Sequence, residues 1–207
     1  YVKHNVPKIS QQEWGDVPDL FEALQPKVDS VIVVRGNHDG GLDRLLPEGV
    51  KMVSSSGLLI DGIALSHGHA WPKAQLLGSD LVVVAHSHPT VSIRTSFGFR
   101  MVRRVWLRCT VNGEKLAEAW MRHRSLRSVG AVAPLLKARY NVTPHEQVKV
   151  ILMPAFNSIL GGIAANKPPS RLIGPIFRSG LVDMDKAELY LLDGTFLGEV
   201  GRLRPLA

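Results

Sequence analysis

Short apolar runs, separated by helical patterns and turns, organise the whole sequence. Apolar side chains recur at helical spacing between Ser10 and Val28, which predicts a helix that ends before Pro26. Runs rich in Val, Ile and Leu predict buried strands at 30–36, 62–68, 80–89 and 148–154. Strands separated by short helices favour a mixed α/β fold.

Turn signals place further strands in hairpins. Asp61-Gly62 and Asp193-Gly194 each lie between two apolar runs, as the turn residues of a hairpin do. Between 90 and 111 we expect a strand, a turn at Ser96–Gly98 and a second strand. Brief helices or turns are predicted over 41–49 and 73–79.

Polar residues of the kinds that bind metals follow three of the apolar runs. The three tips read VIVVRGNHD, GIALSHGH and LVVVAHSHP. Ligands of open α/β sheets collect at the carboxyl ends of strands, so we expect the three tips to meet. In an extended backbone, His67 and His69 would lie on one side, and so would His86 and His88. Both rings of each pair could then face one site.

The chemistry of these tips favours a metal site over the simpler alternatives. Imidazole and amide oxygen suit Mn, Zn or Fe, and several histidines completed by carboxylates suit a two-metal centre. A lone His38 in a turn is more often a surface residue, and His67 alone is often a hydrogen-bonded histidine at a strand end. Three successive strand tips that all carry such residues are hard to explain in that way.

The composition is that of an ordinary globular protein with an unusual charge. The 207 residues suffice for one domain with a good core, and 45% hydrophobic residues argue against disorder. Cys109 is the only cysteine, which excludes an intramolecular disulfide and favours a reducing compartment. The first residues have no apolar signal-peptide core, and Pro154 and Gly161-Gly162 interrupt the most apolar window. We therefore expect a cytoplasmic protein with no membrane partner.

The net charge of +7 favours a polyanionic partner such as nucleic acid. Arginine and lysine are concentrated between 94 and 139, where only Glu114 and Glu118 oppose them. Trp106 and Trp120 are interleaved and suit stacking on bases or simple packing. The alternative is a solvated basic surface. The candidate nucleic-acid contacts are Arg100, Arg103, Arg104, Arg122 and Arg124.

Together, the strand tips resemble the third, fourth and fifth motifs of the calcineurin-like metallophosphoesterases. The matching residues are Gly36–Asp39, Ser66–His69 and His86–His88. The chain is most similar to the archaeal phosphoesterases related to the SbcD nuclease subunit, since AHSHP, MPAFNSILGG and YLLDGTFLG also resemble that subgroup. The resemblance implies a sandwich of two mixed β-sheets flanked by helices over residues 1–207, with 113–147 a basic, partly helical insertion.

The resemblance also implies a role for each matching residue. Asn37, His67, His86 and His88 would bind two divalent metal ions, with Mn favoured and Zn, Fe or Mg as alternatives. His38 would meet the scissile phosphate as a donor or acid, and Asp39 would orient its ring. His69 would lie behind the ligands or face the substrate.

Two motifs that the family needs are missing from this sequence. There is no Asp-x-His at a first strand and no Gly-Asp at a second strand, so the carboxylate that bridges the two metals is absent. Gly15-Asp16 is a poor substitute because Asp16 suits a helix start before Pro18. YVKHN resembles the residues that follow that Gly-Asp, so we expect a chain that lacks its first strands. The alternative is a degenerate relative that keeps the scaffold without these carboxylates. Such a chain would bind metal weakly or as a single ion and turn over little substrate.

The sequence thus predicts a metal-dependent phosphoesterase, acting on a phosphodiester or nucleic acid through a metal-activated water with help from His38. The alternative is a non-catalytic module on the same scaffold that binds nucleic acid or protein. The sequence leaves the oligomeric state open.

Overall fold

The computed structural model describes residues 9–95, 97–126, 131–157, 160–168 and 172–207. The chain divides into two compact units, 1–55 and 56–207. The predictions of a single domain over 1–207 and of missing first strands stay predictions. The YVKHN segment and Ser96 lie outside the described residues.

The smaller unit contains one long helix and a two-stranded parallel sheet. Helix α1 (Gln11–Leu24) begins at a capping box, in which the Ser10 hydroxyl and the Glu13 backbone N–H pair while the Glu13 carboxylate accepts from the Ser10 N–H. The helix ends where predicted, but it starts before Asp16 and contains Pro18. Strand β1 (Ile32–Val34) pairs in parallel with β2 (Lys51–Val53). The core of this unit contains Val17, Phe21, Leu42 and Leu45.

The described residues of the larger unit form two mixed sheets. The seven-stranded sheet has the order β12-β11-β8-β9-β5-β4-β3, and its neighbours β4, β5 and β9 are parallel. The other sheet has the order β10-β6-β7. The strands are β3 (Leu58–Ile60), β4 (Ile63–Ser66), β5 (Leu81–Val84), β6 (Pro89–Arg94), β7 (Arg100–Arg104), β8 (Trp106–Asn112), β9 (Gln147–Leu152), β10 (Ile163–Ala164), β11 (Glu188–Tyr190) and β12 (Phe196–Glu199).

In the described residues of the larger unit, the α-helices are α2 (Gly113–His123), α3 (Val132–Tyr140), α4 (Pro175–Arg178) and α5 (Val200–Leu203), and short 3₁₀ helices lie at Ala74–Gly78 and Arg204–Leu206. The smaller unit has 3₁₀ helices at Gln25–Lys27 and Leu42–Arg44. The predicted mixed α/β class is confirmed. None of the described helices is long and apolar enough to span a membrane.

Most predicted turns are confirmed, and one segment differs from its prediction. Asp61-Gly62 joins the antiparallel strands β3 and β4, and Asp193-Gly194 lies between β11 and β12. The segment predicted as two strands between 90 and 111 forms three. Val105, fully buried, separates β7 from β8, so the chain passes there from the three-stranded to the seven-stranded sheet. A continuous apolar pattern hides such a change of sheet.

The segment 113–147, predicted to be a basic insertion, contributes to the main core. Asn112 caps α2 by accepting from the Lys115 N–H, and Leu116, Trp120 and Leu136 are buried with the strands. The basic residues Lys115, Arg122, Lys137 and Arg139 of these two helices are exposed, as expected for the polar face of a helix that packs on a core. Whether it is an insertion relative to other proteins stays a prediction.

Candidate functional site

Two adjacent parallel strands bring their histidine-bearing tips together. Ser66 of β4 pairs with Val84 of β5, and beyond the strands the Ala85 N–H donates to the His67 carbonyl at 3.0 Å. The two tips therefore leave the sheet side by side, as the sequence predicted for the second and third clusters.

Three imidazole rings form one cluster at this edge, which we call the imidazole cluster: His67, His69 and His86. Their ring centroids are 4.8 Å (His67–His69), 5.1 Å (His67–His86) and 5.6 Å (His69–His86) apart. The Nδ1 atoms of His67 and His69 lie 2.9 Å apart and share a hydrogen bond. His69, predicted to lie behind the ligands or to face the substrate, is thus one of the three rings of the cluster.

The backbone of the histidine pairs is turned, so the expected extended geometry is wrong. His86 and His88 have φ values of 70° and 45°, and Gly68 has φ 100°. Ser87, between His86 and His88, is buried, and its hydroxyl pairs with both the N–H and the carbonyl of Ile173. The left-handed region is costly for most side chains, and residues held there cluster at functional sites.

The environment of the cluster keeps its central ring uncharged. Burial lowers the pKa of His67 from 6.5 to about 3, and the neighbouring histidines, His88 among them, add to the effect. At neutral pH this imidazole is therefore uncharged, which is the form that binds a metal.

A cavity of about 460 Å³ opens beside two rings of the cluster. The described residues that line this cavity are His69, Ala70, Trp71, His86, His123, Gly174, Pro175 and Arg178. The sequence did not predict Trp71, His123 and Arg178 as part of a site, because they come from separate loops and helices and no local spacing connects them.

Two loops approach closely at the base of this site. A Cβ atom at Gly174 would lie 2.2 Å from the Gly68 carbonyl oxygen, and Gly174 has φ +98°. Glycine is required there both for its conformation and for the space. A Cβ at Gly162 would similarly lie 2.1 Å from the His88 carbonyl oxygen, so the loop after β9 packs directly on the third tip.

The first predicted tip belongs to the smaller unit. The Asp39 carboxylate accepts from the Gly36 N–H at 2.6 Å, and its other oxygen is buried without a hydrogen-bond partner among the described residues. Asn37 and His38 are exposed in the turn that follows β1. The Asp39 contact stabilises its own turn, and its predicted role in orienting His38 stays a prediction.

The candidate nucleic-acid contacts have different surroundings. Arg104 donates to the carbonyls of Ala155 and Phe156, both at 3.0 Å, and Arg100 donates to the Ser92 hydroxyl. These two arginines therefore also hold local structure. Arg103 and Arg122 are exposed, and so is Arg124, whose guanidinium lies 5.3 Å from the Trp120 ring centroid.

The separations of the rings in the imidazole cluster suit a shared metal ion, but not every nitrogen atom is available to bind one. Rings that share one tetrahedral ion at ordinary metal–nitrogen distances have centroids about 5 Å apart. The hydrogen bond between His67 and His69, however, occupies two Nδ1 atoms. As it stands, no group of three or more His, Cys, Asp or Glu in the described part of the chain could hold a metal ion.

Comparisons with family models, with curated proteins and with solved structures each give no match. The phosphoesterase resemblance therefore rests on the motifs of the chain itself.

Proposed function

We propose that the chain carries the histidine half of a divalent-metal-dependent phosphoesterase site on a metallophosphoesterase scaffold, acting on a phosphodiester or nucleic acid. The observation that carries the proposal is the imidazole cluster, formed at the ends of two adjacent parallel strands and opening on a cavity with a guanidinium. A central imidazole that is uncharged at neutral pH, two further imidazoles around it and a guanidinium beside them suit a metal and a phosphate.

His67, His69 and His86 would hold one ion once the hydrogen bond between the first two is replaced. A bound divalent ion would polarise a phosphoryl oxygen and lower the pKa of a bound water. The described cluster includes no carboxylate, so its donor set suits a single ion; a second ion would need an anionic ligand to reduce repulsion between the cations.

The other roles fall to the chain's own side chains. Arg178 would bind a phosphate oxygen, because guanidinium donors match the geometry of phosphate. His88 would extend the donor set from the same tip. The roles that the resemblance implies for Asn37 as an oxygen ligand, for His38 as a donor or acid and for Asp39 as the residue that orients its ring stay predictions from the sequence.

Cobalt binding tests the metal part of the proposal without relying on activity. We expect the visible absorption of bound Co²⁺ to appear with the whole chain, and His67→Gln, His69→Gln or His86→Gln to weaken binding at least about tenfold. His145→Gln is the matched control, since this histidine contacts the Gly78 carbonyl outside the cluster. Unchanged cobalt affinity in all three cluster variants would refute the metal site.

Hydrolysis of bis-p-nitrophenyl phosphate tests the chemistry. We expect slow, manganese-dependent turnover that His38→Ala reduces by about a hundredfold, as the loss of a general acid does. Turnover that is insensitive to both manganese and His38→Ala would remove the proposed reaction.

A second candidate function, nucleic-acid binding without catalysis, is favoured by one surface, which we call the arginine–phenylalanine hairpin: Phe97, Phe99, Arg100 and Arg103. Phe97 and Phe99 are 86% and 73% exposed. No acidic residue occurs between Pro89 and Asn112, and β7 is an outer strand of its sheet. Exposed aromatic rings among arginines suit stacking on unpaired bases beside phosphates.

Fluorescence anisotropy with labelled oligothymidine tests this surface. We expect Phe97→Ser with Phe99→Ser to weaken binding about tenfold, and Arg103→Gln to lower the slope against log salt by about one. Phe196→Ser and Arg202→Gln are the controls, since both side chains are exposed on β12 and α5. Oligothymidine binding that none of the hairpin variants changes would exclude this role.

A further inference from the structure

We propose that the cavity beside the imidazole cluster selects small phosphoesters that carry an aromatic ring, such as a nucleoside monophosphate. Trp71 and His123 would contact the ring, and Arg178 would bind the phosphate. The inference rests on the proposed function for its chemistry, but ring recognition needs neither metal nor turnover.

Trp71 and His123 form a two-ring surface in the cavity wall. Their ring centroids lie 5.9 Å apart, and the ring planes are inclined by 32°. Two rings at this separation contact each other, so they leave no slot between them. A planar ligand would therefore lie against their outer faces, in the offset arrangement that aromatic pairs prefer.

Trp71 is held in place by the core behind it. Its ring is half-buried and packs on the main hydrophobic core. The next residue, Pro72, accepts a hydrogen bond from the indole N–H of the fully buried Trp120 at 2.7 Å. Helix α2 thus fixes the backbone beside Trp71 through Trp120 and presents His123 three residues later. A ring fixed in this way binds a ligand with little loss of side-chain entropy.

Arg178 supplies a positive charge to the cavity lining. It ends the short helix α4 and is exposed, and no described side chain forms a hydrogen bond or ion pair with its guanidinium. An unpaired guanidinium is well suited to a charge-assisted, bidentate contact with phosphate.

The charge and the volume of the cavity favour a small anionic ligand. The described lining residues include three histidines and an arginine but no aspartate or glutamate, which favours an anion over a cation. The volume of about 460 Å³ lies within the usual range of small-molecule sites, which a nucleoside monophosphate matches and a nucleic-acid duplex exceeds. Neither an isolated phosphate nor a purely apolar ligand would use both the rings and the guanidinium.

Calorimetric titration of the whole chain in EDTA with adenosine 5′-monophosphate and with ribose 5-phosphate tests the inference. The two probes share sugar and phosphate and differ only in the base. We expect the nucleotide to bind about tenfold more tightly, the difference that stacking on one aromatic side chain provides. Trp71→Leu should remove this preference and leave ribose 5-phosphate binding unchanged, whereas Arg178→Gln should weaken both probes alike.

Several variants separate recognition from folding. Trp71→Tyr should restore most of the preference, and His123→Ala, at an exposed position, should reduce it about threefold. Trp106→Leu is the matched control, since this tryptophan is equally half-buried but lies outside the cavity lining. Equal affinity for the two probes, no binding of either, or a preference that survives Trp71→Leu would each overturn the inference.

Failure of this inference and failure of the proposed function would give different experimental results. Manganese-dependent hydrolysis without a preference for the nucleotide would refute the ring site alone. A preference that depends on Trp71, without any hydrolysis or cobalt binding, would refute the metal site alone.

Discussion

His67 illustrates how single residues in this fold are adapted to hold an uncharged base. Its burial and the rings around it disfavour the imidazolium, so its pKa falls to about 3. In the unfolded chain the same imidazole would titrate at its ordinary pKa of about 6.5. At a pH between these two pKa values, the unfolded state binds a proton at His67 that the folded state does not bind.

This difference predicts that the metal-free protein loses stability as the pH falls from about 6.5 towards 3. At pH values well above the unfolded pKa both states carry a neutral His67, and the stability is fully present. Below the unfolded pKa, protonation of His67 in the unfolded chain lowers the free energy of unfolding by up to about 1.4 kcal/mol per pH unit. Urea unfolding across this range should therefore show a shallower pH dependence in His67→Gln than in the wild type.

The exposed His145 provides the control for this measurement. His145→Gln removes an imidazole for which no such burial exists, so its pH profile should follow the wild type. A His67→Gln profile with the wild-type slope would show that the burial of this ring does not govern the acid sensitivity.

At the scale of elements, the strand tips were predictable and the loops that complete the site were not. An apolar run followed by histidines predicts a tip, and the parallel pairing of β4 with β5 then brings His67 and His86 together. The left-handed backbone at His86 and His88 could not be inferred from alternation, and the Ser87 hydroxyl between them bonds to Ile173, 86 residues away in the sequence. Trp71 and Arg178 line one cavity because of tertiary packing, and no sequence spacing indicates that they do.

The contact between the Gly68 and Gly174 loops predicts a specific cost for Gly174→Ala. The new methyl group would lie 2.2 Å from the Gly68 carbonyl oxygen, and the alanine would have to adopt the glycine's φ of +98°. Gly194→Ala isolates the second effect, since Gly194 has φ +88° but no atom within 4 Å of the place its methyl group would take. We expect Gly194→Ala to cost about 1 kcal/mol in free energy of unfolding.

Gly174→Ala should cost more than that, about 2–3 kcal/mol, because backbone must move away from the methyl group. Denaturant titration gives both values. Since Gly68 precedes His69 and Gly174 lines the cavity, nucleotide affinity should fall in Gly174→Ala and remain unchanged in Gly194→Ala. Equal costs for the two substitutions would mean that the loops separate easily.

At the scale of the whole molecule, the residues implied by the phosphoesterase resemblance are divided between two units. Asn37, His38 and Asp39 belong to residues 1–55, and the imidazole cluster belongs to residues 56–207. Each unit has a core of its own: Val17, Phe21, Leu42 and Leu45 in the smaller one, and buried residues from Ala64 to Leu203 in the larger one. Sequence patterns identified the tips in both units but gave no sign of this division, because the apolar runs look alike on either side of it.

The larger unit should therefore fold when residues 56–207 are expressed alone. It contains a seven-stranded sheet with a continuous buried core, and about 150 residues suffice for an independent domain. Circular dichroism should show a cooperative thermal transition, and Co²⁺ should bind with an affinity within about threefold of the whole chain, because all three rings of the cluster are retained. Hydrolysis of bis-p-nitrophenyl phosphate should be lost with His38. A collapsed product without cooperative melting would show that the larger core depends on residues 1–55, and a folded product with full hydrolysis would remove His38 from the reaction.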